Sequence, residues 1–334
     1  MKKLIALLMC FILLMSVFCA YAETPKTIPV LSEDEIPDTP DGVHNYLLLC
    51  VDSWDAKPNN LGNTDGMVLV TVDEYAHRLM LTSFIRDLLI QRTDDPADGF
   101  NRLSRFVPQN GHNQEAVEKL IKIYGTHFGV KIDHYVVIDW TMIRNIIDAV
   151  GGVDITVTAG EATRLKSKDA YKSSWTTPVL SGAGTYHFTG YAAVIYMRIR
   201  SSTVVNGEAN DFRRTTRARS VLTSIATSLS DITYDQALNL LDAVVENMLL
   251  TDMSTMDMLE AVNLAYKAKD WDIEQMRIPI KGTYEGITYT GGSCQQIDFI
   301  KNREALNDFL YGGFIVTEMD DEDEELDPLF DFDF

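Results

Sequence analysis

A continuous run of apolar residues, YLLLCV at positions 46–51, ends at Asp52. A β-strand with apolar side chains at every position has no face that suits water, so it lies inside a sheet covered on both sides. In α/β proteins, helices provide this cover on the two faces. We therefore predict a three-layer α/β/α fold, with a central mixed sheet flanked by helices on both faces.

Periodicity along the rest of the chain supports this fold. Further strands are predicted at 67–72, 79–83, 135–138, 153–157, 276–280 and 287–290. Helices are predicted at 114–128, 143–150, 192–197, 212–229, 237–250, 256–268 and 296–310. The turn at 73–77 predicts a hairpin, and 87–112 is interpreted as a long loop. The order strand, helix, glycine turn and strand over 135–157 indicates a βαβ unit with parallel strands.

The two ends of the chain differ in composition from this core. Residues 1–22 combine two lysines, an apolar run and an Ala-Tyr-Ala cleavage pattern, as in a secretory signal peptide. We predict a secreted or cell-surface protein, and retention of this segment as a membrane anchor is the alternative. Residues 23–42 are interpreted as a linker and 43–316 as one domain. Residues 317–334 carry ten acidic groups and no basic one, which predicts a disordered tail.

Charge and motif content exclude several classes of protein. The formal net charge is −20, whereas a nucleic-acid-binding protein needs a broad positive field. The patterns GxSxG, GxGxxG and GxxxxGK[ST] do not occur, so serine hydrolase, dinucleotide and nucleoside triphosphate sites lack their signatures. Removal of the signal leaves two of four cysteines, Cys50 and Cys294. Two cysteines so far apart establish neither a disulfide nor a metal site.

Against this acidic background, the stretch 198–219 is rich in arginine. It contains Arg198, Arg200, Arg213, Arg214, Arg217 and Arg219. A planar guanidinium group binds a phosphate or carboxylate through two hydrogen bonds at once and keeps its charge. Arginines at this spacing are also common on a solvated helix face. From this stretch alone, both an anion-binding site and an ordinary surface remain open.

Two aspartates and further arginines lie at the predicted strand ends. Asp52 follows the first strand and Asp65 precedes the second, so adjacent strands would bring both carboxylates to one edge of the sheet. Two carboxylates suit Mg²⁺, which takes oxygen ligands and often adds substrate phosphates; loop-capping aspartates are the other interpretation. Arg86 follows the third strand, and Arg102 and Arg105 lie beyond it. Carboxylates for a metal together with several arginines indicate a pyrophosphate site.

Nine short motifs occur in a fixed order between residues 45 and 230. They are NYLLLCVDS at 45–53, NTDGM at 63–67, SFIRD at 83–87, RLS at 102–104, IDHYVVID at 132–139, AVGGVD at 149–154, LSG at 180–182, YMRIR at 196–200 and DFRRTTR at 211–217. In this set and order the chain resembles the LytR-CpsA-Psr family. Each motif is weak by itself, whereas nine in register are specific.

The resemblance implies an extracytoplasmic, Mg²⁺-dependent phosphotransferase at the outer face of the cytoplasmic membrane. It would attach a polyprenyl-pyrophosphate-linked glycopolymer, of the teichoic acid or capsule type, to peptidoglycan. By position, Asp52 and Asp65 would bind the Mg²⁺ and, with Arg86, Arg198 and Arg200, form the catalytic centre. The arginines implied to bind the pyrophosphate are Arg86, Arg102, Arg198, Arg200, Arg214 and Arg217. Arg102 stands where the family has lysine.

The resemblance also implies an apolar tunnel for the lipid between sheet and helices. Candidate lining residues, whose helical spacing is more often that of an ordinary core, are Val117, Leu120, Ile121, Ile143, Ile146 and Ile147. For the general base, Asp52 and Asp87 are candidates. The sequence specifies neither the glycopolymer, nor the acceptor, nor the oligomeric state.

Several positions depart from the pattern of the family that the chain resembles. Trp54 and Asn63 stand where arginine is usual. The other departures are Cys50 for glycine, Gly66 for threonine, Ile85 for proline, Arg213 for glycine, Thr216 for an acidic residue, and Ala218 and Arg219 for two glutamines. These changes motivate two alternative functions. One is a weakly active or inactive protein that binds the polyprenyl-pyrophosphate-linked glycopolymer or has a regulatory role. The other is a pyrophosphatase.

Overall fold

The structure, a computed structural model, describes residues 25–93, 98–199, 210–230 and 232–312. The predicted signal peptide and acidic tail lie outside these ranges. The strands are β1 Val43–Val51, β2 Thr64–Asp73, β3 Arg78–Phe84, β4 Leu89–Gln91, β5 Phe100–Arg102, β6 His134–Ile138, β7 Val153–Val157, β8 Gly184–Phe188, β9 Leu250–Thr251, β10 Asp272–Ile278, β11 Tyr284–Tyr289 and β12 Gly292–Ile297. The helices are α1 Phe106–Gln109, α2 Gln114–Phe128, α3 Trp140–Ala149, α4 Ala159–Ser167, α5 Asp169–Lys172, α6 Gly190–Met197, α7 Asn210–Ser228, α8 Tyr234–Asn247, α9 Thr255–Ala268 and α10 Phe299–Tyr311.

Within the described ranges, six strands form a mixed sheet in the order β10-β3-β2-β1-β6-β9. Strand β1 pairs antiparallel with β2 and parallel with β6, and β10 pairs parallel with β3. Leu47, Leu49 and Val51 point into the main core on one face, whereas Leu48 and Cys50 line a cavity on the other. This alternation is the two-residue period of a strand that is covered on both faces. The predicted central strand is confirmed.

Helices cover both faces of this sheet, and the predicted three-layer architecture is confirmed. On one face, α2 and α10 bury Tyr124, Phe128 and Phe309 in the main core. On the other face, α7 packs on β3 and β10, α6 packs on α7 and α3, and α3 packs on α8. Helix α2 has the predicted bounds, because the Asn113 side chain accepts from a backbone N–H of its first turn and Gly129 ends it at φ 69°.

The predicted βαβ unit over 135–157 is wrong. Strand β7 pairs antiparallel with β8 in a separate two-stranded sheet, and the parallel pairs of the central sheet are β1 with β6 and β3 with β10. Buried and exposed residues alternate along β7, which suits a strand covered on one face. Gly151 and Gly152, at φ 87° and 100°, turn the chain away from the central sheet. The predicted long loop at 87–112 contains β4, β5 and α1.

The described part of the predicted linker packs against the domain. Ile28 is 5% exposed and belongs to the main core, and the Leu31 N–H donates to the Thr126 carbonyl at 2.8 Å. A free spacer would leave such apolar side chains in water, so residues 25–42 are structurally part of the domain. None of the helices in the described ranges is long and apolar enough to span a bilayer.

His127 is a buried, neutral side chain that makes the fold sensitive to acid. Burial, with a smaller effect from the Arg303 charge, lowers its pKa from 6.5 to about 3. Its Nε2 accepts from the Gln91 N–H at 3.1 Å. The unfolded chain gains a proton near pH 6.5, whereas the folded chain does not until about pH 3. The stability that neutral His127 contributes is therefore complete above pH 6.5 and is lost as pH falls towards 3.

We expect the free energy of unfolding to fall below pH 6.5 more steeply in the wild type than in His127→Gln. The difference in slope should approach about 1.4 kcal/mol per pH unit. Urea titrations at pH 7, 6, 5 and 4.5 measure it. Parallel slopes for the two proteins would show that folding does not exclude the proton from His127.

Candidate functional site

A β-bulge at the start of β2 sets the position of Asp65. Strand β2 has one residue more than β1 at this point, and the extra residue is Asp65. Bulges of this kind redirect a side chain and are common beside active sites. The Asp65 carboxylate is 2% exposed, and its Oδ2 accepts from Arg86 Nη1 at 2.8 Å and Arg214 Nη2 at 3.1 Å. The end of β3 and helix α7 thus meet at one carboxylate.

The charged cluster continues beyond Arg86. Arg86 Nε lies 3.7 Å from Asp87 Oδ2, and Arg102 Nη1 lies 3.6 Å from Asp87 Oδ1. Positive and negative side chains therefore alternate along one row, which we call the charged row: Arg214, Asp65, Arg86, Asp87 and Arg102. Three of the arginines predicted to bind pyrophosphate are brought together here. Asp87, considered above only as a general base, is part of the same row.

A second ionic pair joins Asp52 to Arg198. Asp52 Oδ1 accepts from Arg198 Nη2 at 3.2 Å and from Trp140 Nε1 at 2.9 Å. The guanidinium carbon of Arg198 lies 5.4 Å from the Trp140 ring centroid and 6.0 Å from that of Trp54, within cation–π range. Sequence reasoning missed Trp140. The signal was its place directly after Asp139, which caps α3 and makes Trp140 the first helical residue.

Strand pairing places Asp52 and Asp65 at one edge of the sheet, because Cys50 pairs with Gly66 and the Asp52 N–H donates to the Asn63 carbonyl at 2.9 Å. Burial raises the pKa of the Cys50 thiol well above its ordinary value, and the negative charges of Asp65, Asp139 and Asp52 raise it further. The structure thus brings Asp52 and Asp65 together, although they are separated along the chain by a loop. Cys50 and Cys294 are free, buried thiols.

Two departures from the family pattern occupy facing positions. Cys50 pairs directly with Gly66 across β1 and β2. A Cβ atom at Gly66 would lie 3.0 Å from the Cys50 Cβ, a distance that requires the neighbour to move. A residue with a side chain at position 66 would require Cys50 to shift by a few tenths of an ångström. The small residue at position 66 therefore suits the larger one at position 50.

An apolar cavity of about 270 Å³ opens beside the charged row. Asp65, Arg86 and Arg214 line it together with apolar side chains of the sheet and of helices α3, α7 and α8. The apolar lining includes Val68, Val136, Ile143, Ile146, Val221 and Ile225. The cavity therefore combines hydrocarbon walls with a charged region formed by two arginines and a carboxylate.

Two of the six residues predicted to line a tunnel, Ile143 and Ile146, line this cavity. The others do not. Ile147 is buried in a separate hydrophobic cluster with residues of β7, β8 and α6. The α2 residues Val117, Leu120 and Ile121 pack in or against the main core. The prediction was wrong for α2 because helical periodicity gives the apolar side of a helix but not the sheet face that it covers.

Arg217 and Arg219 lie apart from the charged row. Arg217 is 3% exposed; its Nε donates to Glu161 Oε1 at 2.7 Å and its Nη1 to the Ile199 carbonyl at 3.1 Å. Its contacts hold α7 to α4 and to the residue that follows α6 by two positions, and its role as a pyrophosphate ligand stays a prediction. Arg219 donates to Ser83 and Gln275 and ties α7 to the sheet. Arg200 lies outside the described residues.

The donor set at this edge fits Mg²⁺ only with help from a substrate. Among the residues that the structure describes, no group of three or more His, Cys, Asp or Glu side chains is placed to hold a metal ion. Asp52 and Asp65 supply two carboxylates. Mg²⁺ sites commonly combine one or two carboxylates with substrate phosphate oxygens and water. The residues present therefore fit Mg²⁺ bound jointly with a phosphorylated ligand.

Gly292 leaves room for Arg102. A Cβ atom at Gly292 would lie 1.4 Å from Arg102 Nη2, so any side chain there displaces the guanidinium group from Asp87. We expect Gly292→Ala to weaken binding of an anionic ligand roughly fivefold, since it disturbs one charge-assisted contact. The loss in stability should be small because the displaced atom ends a flexible side chain. Calorimetric titration with inorganic pyrophosphate measures the change.

Gly286→Ala on the same hairpin is the matched control. The nearest side-chain atom would be 3.8 Å from its Cβ, an ordinary contact distance. This variant should bind as the wild type does. Equal affinities for the two variants would mean that Arg102 does not contribute to anion binding.

The fold and this site define a class of α/β proteins that contain an amphipathic cavity. Most of the cavity wall is apolar, and one side carries charged side chains. The model of the LytR_cpsA_psr family matches residues 20–306, which is most of the chain. The chain therefore belongs to the LytR_cpsA_psr family, and the resemblance seen in the nine motifs is confirmed.

Two relatives are distant in sequence and longer than this chain. The chain is 25% identical over 263 residues to biofilm regulatory protein A of Streptococcus mutans, covering 76% of this chain and 59% of that protein. It is 22% identical over 199 residues to the polyisoprenyl-teichoic acid–peptidoglycan teichoic acid transferase TagV of Bacillus subtilis, covering 59% of this chain and 46% of that protein. The chain thus spans about three fifths of the first relative and less than half of the second.

Solved structures share the architecture. A structure described as TagT bound to LI-WTA superposes with a TM-score of 0.62 at 16% identity, covering 87% of this chain and 98% of that one. At this identity the likeness establishes the fold alone, and it confirms the central mixed sheet flanked by helices.

Proposed function

We propose that the chain is a cell-surface phosphotransferase that moves a polyprenyl-pyrophosphate-linked glycopolymer onto peptidoglycan. One observation carries this proposal: the apolar cavity has Asp65, Arg86 and Arg214 in its wall. A ligand that fills such a space has a hydrocarbon chain joined directly to an anionic group. The transferase name of TagV and the ligand named with the TagT structure are consistent with a lipid-linked glycopolymer as that ligand.

The charge balance of the site favours a diphosphate. Among the described residues of the site, four arginines face three carboxylates, so the arginines exceed the carboxylates by one; they are Arg86, Arg102, Arg198 and Arg214 with Asp52, Asp65 and Asp87. Bound Mg²⁺ would add two positive charges and neutralise oxygens of the diphosphate. Burial of the first isoprene units contributes about 25 cal/mol for each Å² of apolar surface removed from water.

The reaction that we propose is a displacement at phosphorus. A hydroxyl oxygen of the acceptor sugar forms a bond to the phosphorus atom that carries the glycopolymer. The bond from this phosphorus to the bridging oxygen breaks, and polyprenyl phosphate leaves with the electron pair. Arg86 and Arg214 stabilise the charge that develops on the phosphate oxygens, because their guanidinium groups are fixed before the reaction by Asp65.

The proton of the attacking hydroxyl passes to an exposed carboxylate. Asp65 is unsuited to this role, since it is 2% exposed and paired with two arginines. The side chains of Asp52 and Asp87 are 28% and 15% exposed and retain access to an acceptor. Asp52 and Asp87 are therefore the candidates for general base.

The test combines the purified full chain with a polyprenyl-pyrophosphate-linked glycan and a peptidoglycan fragment, with and without Mg²⁺. We expect a joined product, detected by mass spectrometry, that depends on Mg²⁺. Absence of this product under all conditions would overturn the transferase. Release of phosphate without an acceptor would instead indicate a pyrophosphatase.

Binding without transfer is the second candidate, and two positions favour it. Trp54 places an aromatic ring beside Arg198 where the family pattern has a charged residue, and Asn63 is exposed and uncharged. Both reduce the positive charge at the rim of the site. Tight binding of the lipid-linked glycan with no product in the same assay would support a binding or regulatory protein.

A further inference from the structure

Trp54 and Tyr191 form a partly exposed aromatic pair next to the charged site. Their ring centroids lie 6.0 Å apart with an interplanar angle of 28°, and both residues are partly exposed. Trp54 is two residues beyond Asp52, and the Arg198 guanidinium carbon lies 6.0 Å from its ring centroid. The pair therefore adjoins the Asp52–Arg198 end of the site.

Hydrogen bonds hold the Tyr191 ring and the backbone that carries Trp54. The Trp54 carbonyl accepts from the hydroxyl of Thr141, in the first turn of α3. The Tyr191 hydroxyl donates to the Ala170 carbonyl at 3.2 Å. A ligand that packs on these rings meets a preformed surface, so little conformational entropy is lost on binding.

We propose that the Trp54–Tyr191 pair is a platform for a sugar ring of the transferred glycan. This inference rests on the proposed function, which places the diphosphate beside Asp52 and Arg198. The flat face of a pyranose carries C–H groups that pack well on the negative face of an aromatic ring. Ser53 and the exposed Asp55, on the same loop, offer partners for the hydroxyl groups at the ring edge.

Trp175 extends the platform away from the charged site. It is 94% exposed, and the carbonyl of the next residue, Thr176, accepts from Thr189 Oγ1 at 3.1 Å. Thr189 caps the start of α6, so Trp175 lies near the helical turn that carries Tyr191. An indole ring so fully in water contributes little to the core, and contact with a second sugar would remove it from water.

The position of the platform favours the donor glycan, because that glycan is covalently joined to the diphosphate. The acceptor peptidoglycan is the other source of sugar rings. The test therefore uses three ligands: polyprenyl diphosphate, the same lipid diphosphate carrying a disaccharide, and a soluble peptidoglycan fragment. Dissociation constants are measured by calorimetry for the full wild-type chain and for Tyr191→Ala, Tyr191→Phe and Trp175→Ala.

We expect Tyr191→Ala to weaken binding of the disaccharide lipid about tenfold and Trp175→Ala about threefold. Neither variant should change the affinity for the sugar-free lipid by more than about twofold, because Tyr191 and Trp175 make no hydrogen bond or cation–π contact with the arginines that the structure describes. Tyr191→Phe keeps the ring and loses the hydroxyl, so it should bind the disaccharide lipid nearly as the wild type does.

A loss confined to the disaccharide lipid supports the platform with the donor as its ligand, and a loss confined to the peptidoglycan fragment supports it with the acceptor. Equal losses with and without sugar, or no loss with any ligand, overturn the platform. Trp175→Ala keeps the test decisive if Tyr191→Ala does not fold, because Trp175 lies outside the core. A wild-type chain that binds neither lipid contradicts the proposed function, and the peptidoglycan measurement then still tests the platform.

Discussion

Replacement of Asp65 by alanine is expected to lower the rate of glycopolymer transfer at least about 100-fold. The Asp65 carboxylate fixes two guanidinium groups, at 2.8 Å from Arg86 and 3.1 Å from Arg214. Without it, both groups reorient and their positive charges repel each other, and a proposed Mg²⁺ ligand is lost. The rate of product formation with saturating donor measures the effect.

Stability must be separated from activity in this variant. Asp65 is almost fully buried, and removal of one partner from a buried ion pair costs about 3–5 kcal/mol; the cost here should be lower, because the Arg86 side chain is 21% exposed. Assays should therefore run at a temperature where circular dichroism shows the variant folded. Asp65→Asn, which keeps the shape and removes the charge, should show the same loss of activity with a smaller loss of stability.

Asp308→Ala is the matched control, since this exposed aspartate lies on α10, which packs on the sheet face opposite the cavity. It should transfer at the wild-type rate. Wild-type activity in a folded Asp65→Ala protein would remove Asp65 from the mechanism and would leave the arginines without their proposed organising group.

Filling the cavity at Ala218 is expected to weaken lipid binding strongly while the charged row remains intact. Ala218 lines the cavity on α7, and Ala218→Phe places a phenyl ring there. If about 100 Å² of lipid surface loses its apolar contact, the loss is about 2.5 kcal/mol, which is roughly a 50- to 100-fold rise in the dissociation constant. Binding of a long-chain polyprenyl diphosphate, measured by fluorescence competition, tests this.

Two comparisons make this result specific. A water-soluble, short-chain diphosphate should bind Ala218→Phe with nearly wild-type affinity, because it needs the arginines and not the cavity. Ala226→Phe, on the same helix and outside the cavity lining, should bind the long-chain lipid normally. Undiminished long-chain binding by Ala218→Phe would mean that the hydrocarbon chain lies elsewhere.

The sequence by itself determined most of the secondary structure and the class of fold. The apolar run at 46–51 required a strand with cover on both faces, and it is β1 at the centre of the sheet. The helix at 114–128 has its predicted bounds, with a capping Asn113 and a terminating Gly129. These features are local: apolar periodicity, a capping side chain and a glycine at positive φ act within a few residues.

Tertiary structure decided which side chains meet. Arg214 and Arg217 are three residues apart on α7, yet one reaches Asp65 and the other Glu161. Trp140 contacts Arg198 and Asp52 because α3 begins beside the end of β1. The α2 residues predicted to line the lipid tunnel pack in or against the main core, and β7, predicted as part of a βαβ unit, pairs with β8 in a separate sheet. Sequence periodicity fixes the apolar side of an element, whereas its partner depends on contacts between residues far apart in the chain.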